Sequence, residues 1–324
     1  MKLIIYGADY VCAKQEDDFR EAGIELLRSK DPDTIISWSK DSPVMLIYGY
    51  PVDKEFVDRL DPSFKCIITM FVGYDDIDIE ACSKRGIMVC NNPLYGSEEV
   101  AALAITLMLD LNRKVYYFNK KLHEEVWESS AYSDHMPYPS RRLSCMTLGV
   151  IGIGNIGTYT AKMARGLGMD VIACDPYVPD EKFESLGIRK GTLDDVLMQS
   201  DAITLHVPLN EETYHMIDSE AISKMKDGVL FINDARGPVA DEDALIEALK
   251  SGKIAAAGLD VFSPEPFPED HIFRTMDNVI LTPHTAWLTA ESDADVDRLA
   301  AELAIMALKG EIPYSCINRK ALGI

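Results

Sequence analysis

Residues 147–175 read TLGVIGIGNIGTYTAKMARGLGMDVIACD, and the order of residue types in this stretch decides the fold. Leu148–Ile151 is a short apolar run of the kind that forms a buried strand. Gly152, Gly154 and Gly157 follow in a Gly-x-Gly-x-x-Gly pattern, and a helical pattern opens behind them, from Ile156 to Leu167, closed by Gly166 and Gly168. The three glycines serve different ends. Gly152 permits the tight turn, Gly154 lets backbone approach a pyrophosphate, and Gly157 lets helix and strand pack closely. Peptide N–H groups at the start of that helix, around Asn155 and Ile156, face the phosphates. The next strand ends at Asp175, eighteen residues after Gly157. A carboxylate there accepts hydrogen bonds from the adenosine ribose and repels a 2′-phosphate, which predicts NAD rather than NADP. An S-adenosylmethionine site or a merely tight turn is the alternative for the glycines alone; the strand, helix and acid in sequence favour the dinucleotide.

Outward from this unit, the strand–helix alternation continues in both directions. Downstream, DAITLHVP, GVLFIND, IAAAGLDVF and NVILTP are candidate strands. Upstream, KLIIYG, VMLIYGY, FKCIITMFVGY and GIMVCNN are candidate strands, with EDDFREAGIELLRSK and VDKEFVDRL as helices. This pattern predicts an α/β protein with two doubly wound parallel-sheet domains, a flavodoxin-like substrate domain and a Rossmann NAD-binding domain. Asn92-Pro93 breaks the first half. A long helix is expected over Ser97 to Lys121; its first half, VAALAITLMLDL, is apolar nearly all round, as in a helix buried within a large core or at a subunit interface. Trp127 to Arg142 reads as an irregular loop. A last helix, Thr289 to Gly310, has Thr289 to cap it and an apolar face (Val296, Leu299, Leu303, Ala307) suited to the first domain. The expected division is 1–96 with 289–324 for the substrate domain, and 97–288 for the NAD-binding domain.

Composition narrows the function. The 324 residues carry a net charge of −21, which disfavours nucleic acid and anionic membrane as partners but leaves room for a small anionic ligand at a local positive site. No apolar run approaches the roughly 20 residues of a transmembrane helix. The N-terminus MKLIIYGADY has too short an apolar core for a secretory leader and reads as a strand. Seven cysteines (12, 66, 82, 90, 145, 174, 316) show no metal spacing, so no metal is expected, and they suit reduced thiols in a cytoplasm.

Three strand ends deliver chemistry to one rim. Arg236 follows FIND, Asp260 ends IAAAGLD with Glu265 shortly after, and His284 follows NVILTP. Singly, each has an ordinary reading: a surface ion pair, a solvated glutamate, a structural histidine. Jointly, they sit at the carboxyl edge of a sheet, where this architecture binds ligands.

On the stretches VGYDDIDIEACSKRGIMVCNNP, TLGVIGIGNIG, LHVPLNEETYHMI, INDARGPVADEDALIEALKSGKIAAAGLDVFSPEP and NVILTPHTAW, the chain resembles the D-isomer-specific 2-hydroxyacid dehydrogenases over nearly its whole length. NNPLYGSEEVA and PHTAW are most similar to the glycerate dehydrogenase (hydroxypyruvate reductase) branch. The resemblance implies interconversion of a small 2-keto acid and its D-2-hydroxy acid with NAD, hydroxypyruvate or glyoxylate first. D-lactate, branched or aromatic 2-hydroxy acids, a short 3-phosphoglycerate dehydrogenase, and a non-catalytic NAD(H)-sensing corepressor stand as alternatives. It implies that His284 is the acid/base, Glu265 its hydrogen-bond partner, Arg236 the carboxylate-binding arginine, and Ala235 and Asp260 neighbours of the cofactor. It further implies that His206, Val207, Pro208 and Thr213 line the adenine and pyrophosphate side, that Val72 and Gly73 hold the substrate carboxylate through backbone N–H groups, and that helix 97–121 makes a homodimer. Tyr95 has two readings, substrate contact from the hinge or hinge packing. Trp287 likewise either walls the substrate pocket or belongs to the core. Two departures stand out: Ala102 where the family often has glutamate, and Arg-Gly-Pro-Val-Ala-Asp at 236–241, where Pro238 stiffens the turn after Arg236. No partner is suggested for His123, His135, His215 or His271.

Overall fold

A computed structural model describes residues 1–7, 12–124 and 138–324. The chain forms two compact units, Met1–Gly96 with Leu288–Ile324, and Ser97–Trp287. Among the described residues no helix is long and apolar enough to cross a membrane.

In the first unit five parallel strands, β1 (Lys2–Tyr6), β2 (Glu25–Ser29), β3 (Val44–Ile47), β4 (Cys66–Thr69) and β5 (Met88–Cys90), lie in the order β2-β1-β3-β4-β5. The strands β3 and β4 are buried at every residue, as expected where helices cover both faces of a parallel sheet. The acidic excess is put to local use: Asp31, Asp53 and Asp78 each accept a hydrogen bond from the third residue of the helix they start. Thr289 caps helix Ala290–Leu308, whose Val296, Leu299 and Leu303 are buried and whose residues pack on β3 and β4.

The second unit contains β6 (Thr147–Ile151), β7 (Asp170–Cys174), β8 (Arg189–Lys190), β9 (Ala202–Leu205), β10 (Val229–Asn233), β11 (Ile254–Leu259) and β12 (Val279–Leu281), all parallel, in the order β12-β11-β10-β9-β6-β7-β8. The order reverses between β6 and β9, the place where doubly wound sheets bind nucleotides. In register, Ile151 pairs with Leu205, Leu205 with Asn233, Asn233 with Leu259, and Leu259 with Leu281. The residues just beyond them therefore share one edge.

Two expectations are corrected. The sequence EDDFREAGIELLRSK is not one helix: only Glu16–Glu21 is helical, and Glu25–Ser29 is the edge strand β2. Partly exposed along most of its length, β2 does not need the continuous apolar run that marks an inner strand. Nor is there one helix from Ser97 to Lys121. Helix Ser97–Arg113 ends at Lys114, which has φ 57°, and a second helix covers Val115–Glu124. Lys114 Nζ reaches back to Asn112 O (3.3 Å) and Ser140 Oγ (3.1 Å) and lies 4.0 Å from the Tyr138 ring centre. In the single chain, helix Ser97–Arg113 buries Val100, Ala104, Leu107, Met108 and Leu111 and exposes Ala102 and Thr106. Of the loop expected at Trp127–Arg142, residues 127–137 lie outside the described residues, as does His135.

Candidate active site

The glycine turn has the shape its residues predict. Gly152 has φ 94°, and a Cβ there would stand 2.4 Å from His206 O; a Cβ on Gly157 would stand 2.0 Å from Gly152 O. Neither position admits a side chain. A Cβ on Gly154 would meet nothing within 4 Å, so the space above the turn is open. Helix Asn155–Gly166 starts there with no side chain capping its first turn. Open space, glycine backbone and an uncapped helix start together fit a pyrophosphate. Asp175 directly follows the neighbouring strand β7, and its carboxylate is oriented by two peptide groups, Ile153 N (2.9 Å) and Tyr177 N (3.0 Å).

Past β9, His206 N donates to Ile151 O (2.7 Å), tying the segment to the glycine turn. The Thr213 hydroxyl closes the following turn, donating to Pro208 O (2.6 Å) and accepting from Asn210 N (2.9 Å). The His206 ring turns inward instead. It is buried, with Nε2 at 3.0 Å from Thr160 Oγ1 and 3.2 Å from Thr204 Oγ1, and Nδ1 at 3.4 Å from Asp234 Oδ1. Sequence reasoning missed Asp234, although an acid directly after the strand end Phe-Ile-Asn was the available signal. The proximity suggests an ion pair, but with both side chains cut off from solvent the neutral forms prevail. Burial pushes the His206 pKa down to about 3 and, with help from the Asp260 charge, raises that of Asp234 well above the carboxylate range.

The catalytic candidates hang from β10, β11 and β12. Asn233 shapes the first turn: its Oδ1 accepts from Ala235 N (3.1 Å) and its Nδ2 donates to Arg236 O (2.9 Å). Arg236 Nη1 donates to Ala235 O (2.7 Å). A Cβ on Gly237 would stand 2.3 Å from the Phe262 carbonyl, so this turn packs directly on the backbone after β11. From there Phe262 N donates to Glu265 Oε1 (2.9 Å), and Glu265 Oε2 pairs with His284 Nδ1 at 2.7 Å. Asp260 is fully buried, and its two oxygens accept from Thr285 N (3.0 Å) and Ala286 N (2.9 Å), while its carbonyl accepts from His284 N (2.8 Å). These bonds hold His284 at φ 53°, a conformation non-glycine residues adopt only when surroundings impose it. Burial pushes the Glu265 carboxyl up, yet the His284 and Phe262 hydrogen bonds and the His284 and Arg236 charges outweigh it and bring it below its ordinary value. The arrangement offers an ionised carboxylate behind an imidazole, with an arginine alongside as a source of positive charge: the parts for proton transfer next to an anion.

Of the remaining predicted residues, Trp287 is half-buried at the end of this unit. In the first unit Tyr95 is buried with its ring 6.5 Å from Phe71, which fits the packing reading, and Val72 and Gly73 lie in the loop after β4. Two histidines without an expected partner have one: His271 Nε2 lies 3.0 Å from Glu242 Oε1, and His215 Nδ1 lies 3.8 Å from Asp241 Oδ2.

Residues 105–286 match the family model described as D-isomer specific 2-hydroxyacid dehydrogenase, NAD binding domain. The chain is 37% identical over 289 residues to a hydroxypyruvate reductase of Blautia hydrogenotrophica, covering 89% of each protein. It is also 37% identical over 301 residues to a glyoxylate reductase of Thermococcus litoralis, covering 93% of this chain and 88% of that one. Among solved structures, D-lactate dehydrogenase from Aquifex aeolicus complexed with NAD and lactic acid superposes with a TM-score of 0.80 at 31% identity, covering 96% of both chains.

Proposed function

This chain belongs to the D-isomer-specific 2-hydroxyacid dehydrogenases, NAD-dependent oxidoreductases, and we propose that within that family it reduces a small 2-keto acid, hydroxypyruvate or glyoxylate, to the D-2-hydroxy acid. The observation that carries the mechanism is the Glu265–His284 pair at the end of β12, 2.7 Å apart. The names of its relatives, hydroxypyruvate reductase and glyoxylate reductase, support the substrate class.

When bound, the nicotinamide supplies the hydride. His284, protonated on the ring nitrogen turned away from Glu265, gives its proton to the carbonyl oxygen as negative charge develops there. Glu265 orients the ring and stabilises its protonated form. Arg236 grips the substrate carboxylate and polarises the adjacent carbonyl. In the reverse direction neutral His284 takes the alcohol proton. Gly152, Gly154 and Gly157 with Asn155 and Ile156 hold the pyrophosphate, Asp175 the adenosine ribose, and Val207 and Pro208 flank the adenosine. The amides of Val72 and Gly73 are assigned to the substrate carboxylate. Seven unpaired thiols and helix Ser97–Arg113, with Leu103 and Leu109 only half-buried, support a cytoplasmic homodimer built on that helix.

Keto-acid-dependent NADH oxidation tests the reading. Turnover of hydroxypyruvate or glyoxylate is expected; NADH binding without turnover of any 2-keto acid would favour a sensing protein instead.

A further inference from the structure

The loop that follows β4 in the first unit has its first four carbonyl groups tied down. Met70 O accepts from Asn92 Nδ2 (3.3 Å), Phe71 O from Asn92 N (3.0 Å), Val72 O from Asn91 Nδ2 (2.8 Å), and Gly73 O from Thr69 Oγ1 (3.4 Å). A trans peptide is planar, so its C=O and the next residue's N–H point in opposite directions. Capturing Phe71 O therefore fixes the Val72 N–H, capturing Val72 O fixes the Gly73 N–H, and capturing Gly73 O fixes the Tyr74 N–H. Among the described residues neither Val72 N nor Gly73 N has a hydrogen-bond partner. Successive backbone N–H groups left unpaired in a turn are the raw material of a concave anion site.

Asn91 is itself anchored. Its carbonyl accepts from Ser315 Oγ (2.6 Å), and the C-terminal segment runs on beside β5, with Ile317 N donating to Val89 O (2.8 Å) and Asn318 Oδ1 accepting from Val89 N (2.9 Å). Thr69 is buried and its hydroxyl also accepts from Phe71 N (3.3 Å), so one side chain holds both ends of the turn.

We propose that Asn91 and Thr69 are positioning residues: Asn91, by holding the Val72 carbonyl, aims the Gly73 N–H at the substrate carboxylate, and Thr69, by holding Phe71 N and Gly73 O, keeps the shape of the turn that carries the Val72 and Gly73 amides. The proposal rests on the reading of Val72 and Gly73 as the carboxylate-binding pair of a 2-keto acid reductase. Neither Asn91 nor Thr69 touches the substrate. Their effect is on the direction of the peptide groups, and small misplacements of a binding group are costly.

The test uses full-length enzyme loaded with NADH, with hydroxypyruvate as substrate and oxamate as a non-reacting carboxylate probe. Asn91→Leu keeps the volume and removes the donor. It should raise KM and the oxamate Kd together by about tenfold, the value of one charge-assisted hydrogen bond, with NADH affinity unchanged and kcat falling far less than KM rises. Thr69→Val should weaken oxamate in the same sense, and Thr69→Ser, which restores the hydroxyl, should not. Unchanged KM and oxamate affinity in Asn91→Leu would overturn the proposal. If Asn91→Leu folds poorly, the threonine pair decides: equal oxamate affinity in Thr69→Val and Thr69→Ser overturns it, and a difference restored by serine supports it. Wild-type enzyme that binds oxamate but turns over no 2-keto acid would sink the reductase reading while leaving the loop's role to these variants. Wild-type enzyme that binds no oxamate at all would overturn the loop's role.

Discussion

Glu265 Oε2 lies 2.7 Å from His284 Nδ1, and Asp260 holds the backbone of Thr285 and Ala286 beside it. One ring nitrogen is thus committed to the protein. The other, Nε2, has no protein partner among the described residues. A histidine fixed on one side and open on the other exchanges its proton with a ligand through one nitrogen only, here Nε2. The backbone bonds to Asp260 make that orientation a property of the fold rather than of the ligand.

Replacing His284 by alanine should therefore lower kcat/KM for the keto acid by about 10²- to 10⁴-fold. NADH affinity, measured by fluorescence titration, should not change, because the ring serves the proton and not the dinucleotide. An equal loss of both would contradict the role.

Glu265→Gln keeps the shape but removes the charge behind the ring. Reduction at neutral pH should fall by about 10- to 100-fold. The carboxyl titrates below its ordinary value, so its contribution to stability is present above the unfolded-state pKa of about 4.5 and is lost as pH falls through the lower folded-state value. Melting curves of wild type should therefore lose ground to Glu265→Gln only below about pH 4.5. A gap that opens at neutral pH would contradict this sign.

Asp234 has the opposite sign. Folding keeps its proton on, whereas the unfolded chain releases it above about pH 4. The folded state therefore loses stability as pH rises through the carboxylate range. Asp234→Asn cannot ionise in either state and should melt higher than wild type at pH 7, with the gain vanishing near pH 3. His206 works on the acid side: its ring stays neutral when folded down to about pH 3, while the unfolded ring protonates below about pH 6.5. Both proteins should accordingly lose stability as pH falls from 6.5 toward 3.

Asp175→Ala removes the carboxylate held by Ile153 N and Tyr177 N. The preference for NADH over NADPH should narrow by about tenfold or more, since a negative charge no longer opposes a 2′-phosphate. The ratio of kcat/KM for the two cofactors checks it, and an unchanged ratio would remove the ribose assignment.

What was legible in the sequence follows from how local each signal is. Gly152, Gly154 and Gly157 carry their reasons in spacing alone, and the strand ends that place Arg236, Asp260, Glu265 and His284 are marked by apolar runs that stop abruptly. The edge strand Glu25–Ser29 escaped because it is partly exposed and lacks a continuous apolar run, although Gly23, with φ 69°, ends the helix before it. The end of helix Ser97–Arg113 escaped because Lys114 is stabilised by Tyr138 and Ser140, more than twenty residues away. The neutral His206–Asp234 pair escaped for the same reason. Its partners Thr160 and Thr204 come from different elements, and only the folded sheet reveals that the ring turns inward. Asn91 stands beside the Asn92-Pro93 break and carries no local signal of its own. Its side-chain bond to Val72 O spans nineteen residues.

The most direct measurement follows the hydride. Wild-type enzyme, given hydroxypyruvate and NADH deuterated at the transferable position, should yield D-glycerate carrying deuterium at C2, and the His284→Ala enzyme should yield almost none under the same conditions. Product without deuterium at C2, product of the L configuration, or undiminished transfer by the His284 variant would contradict the account.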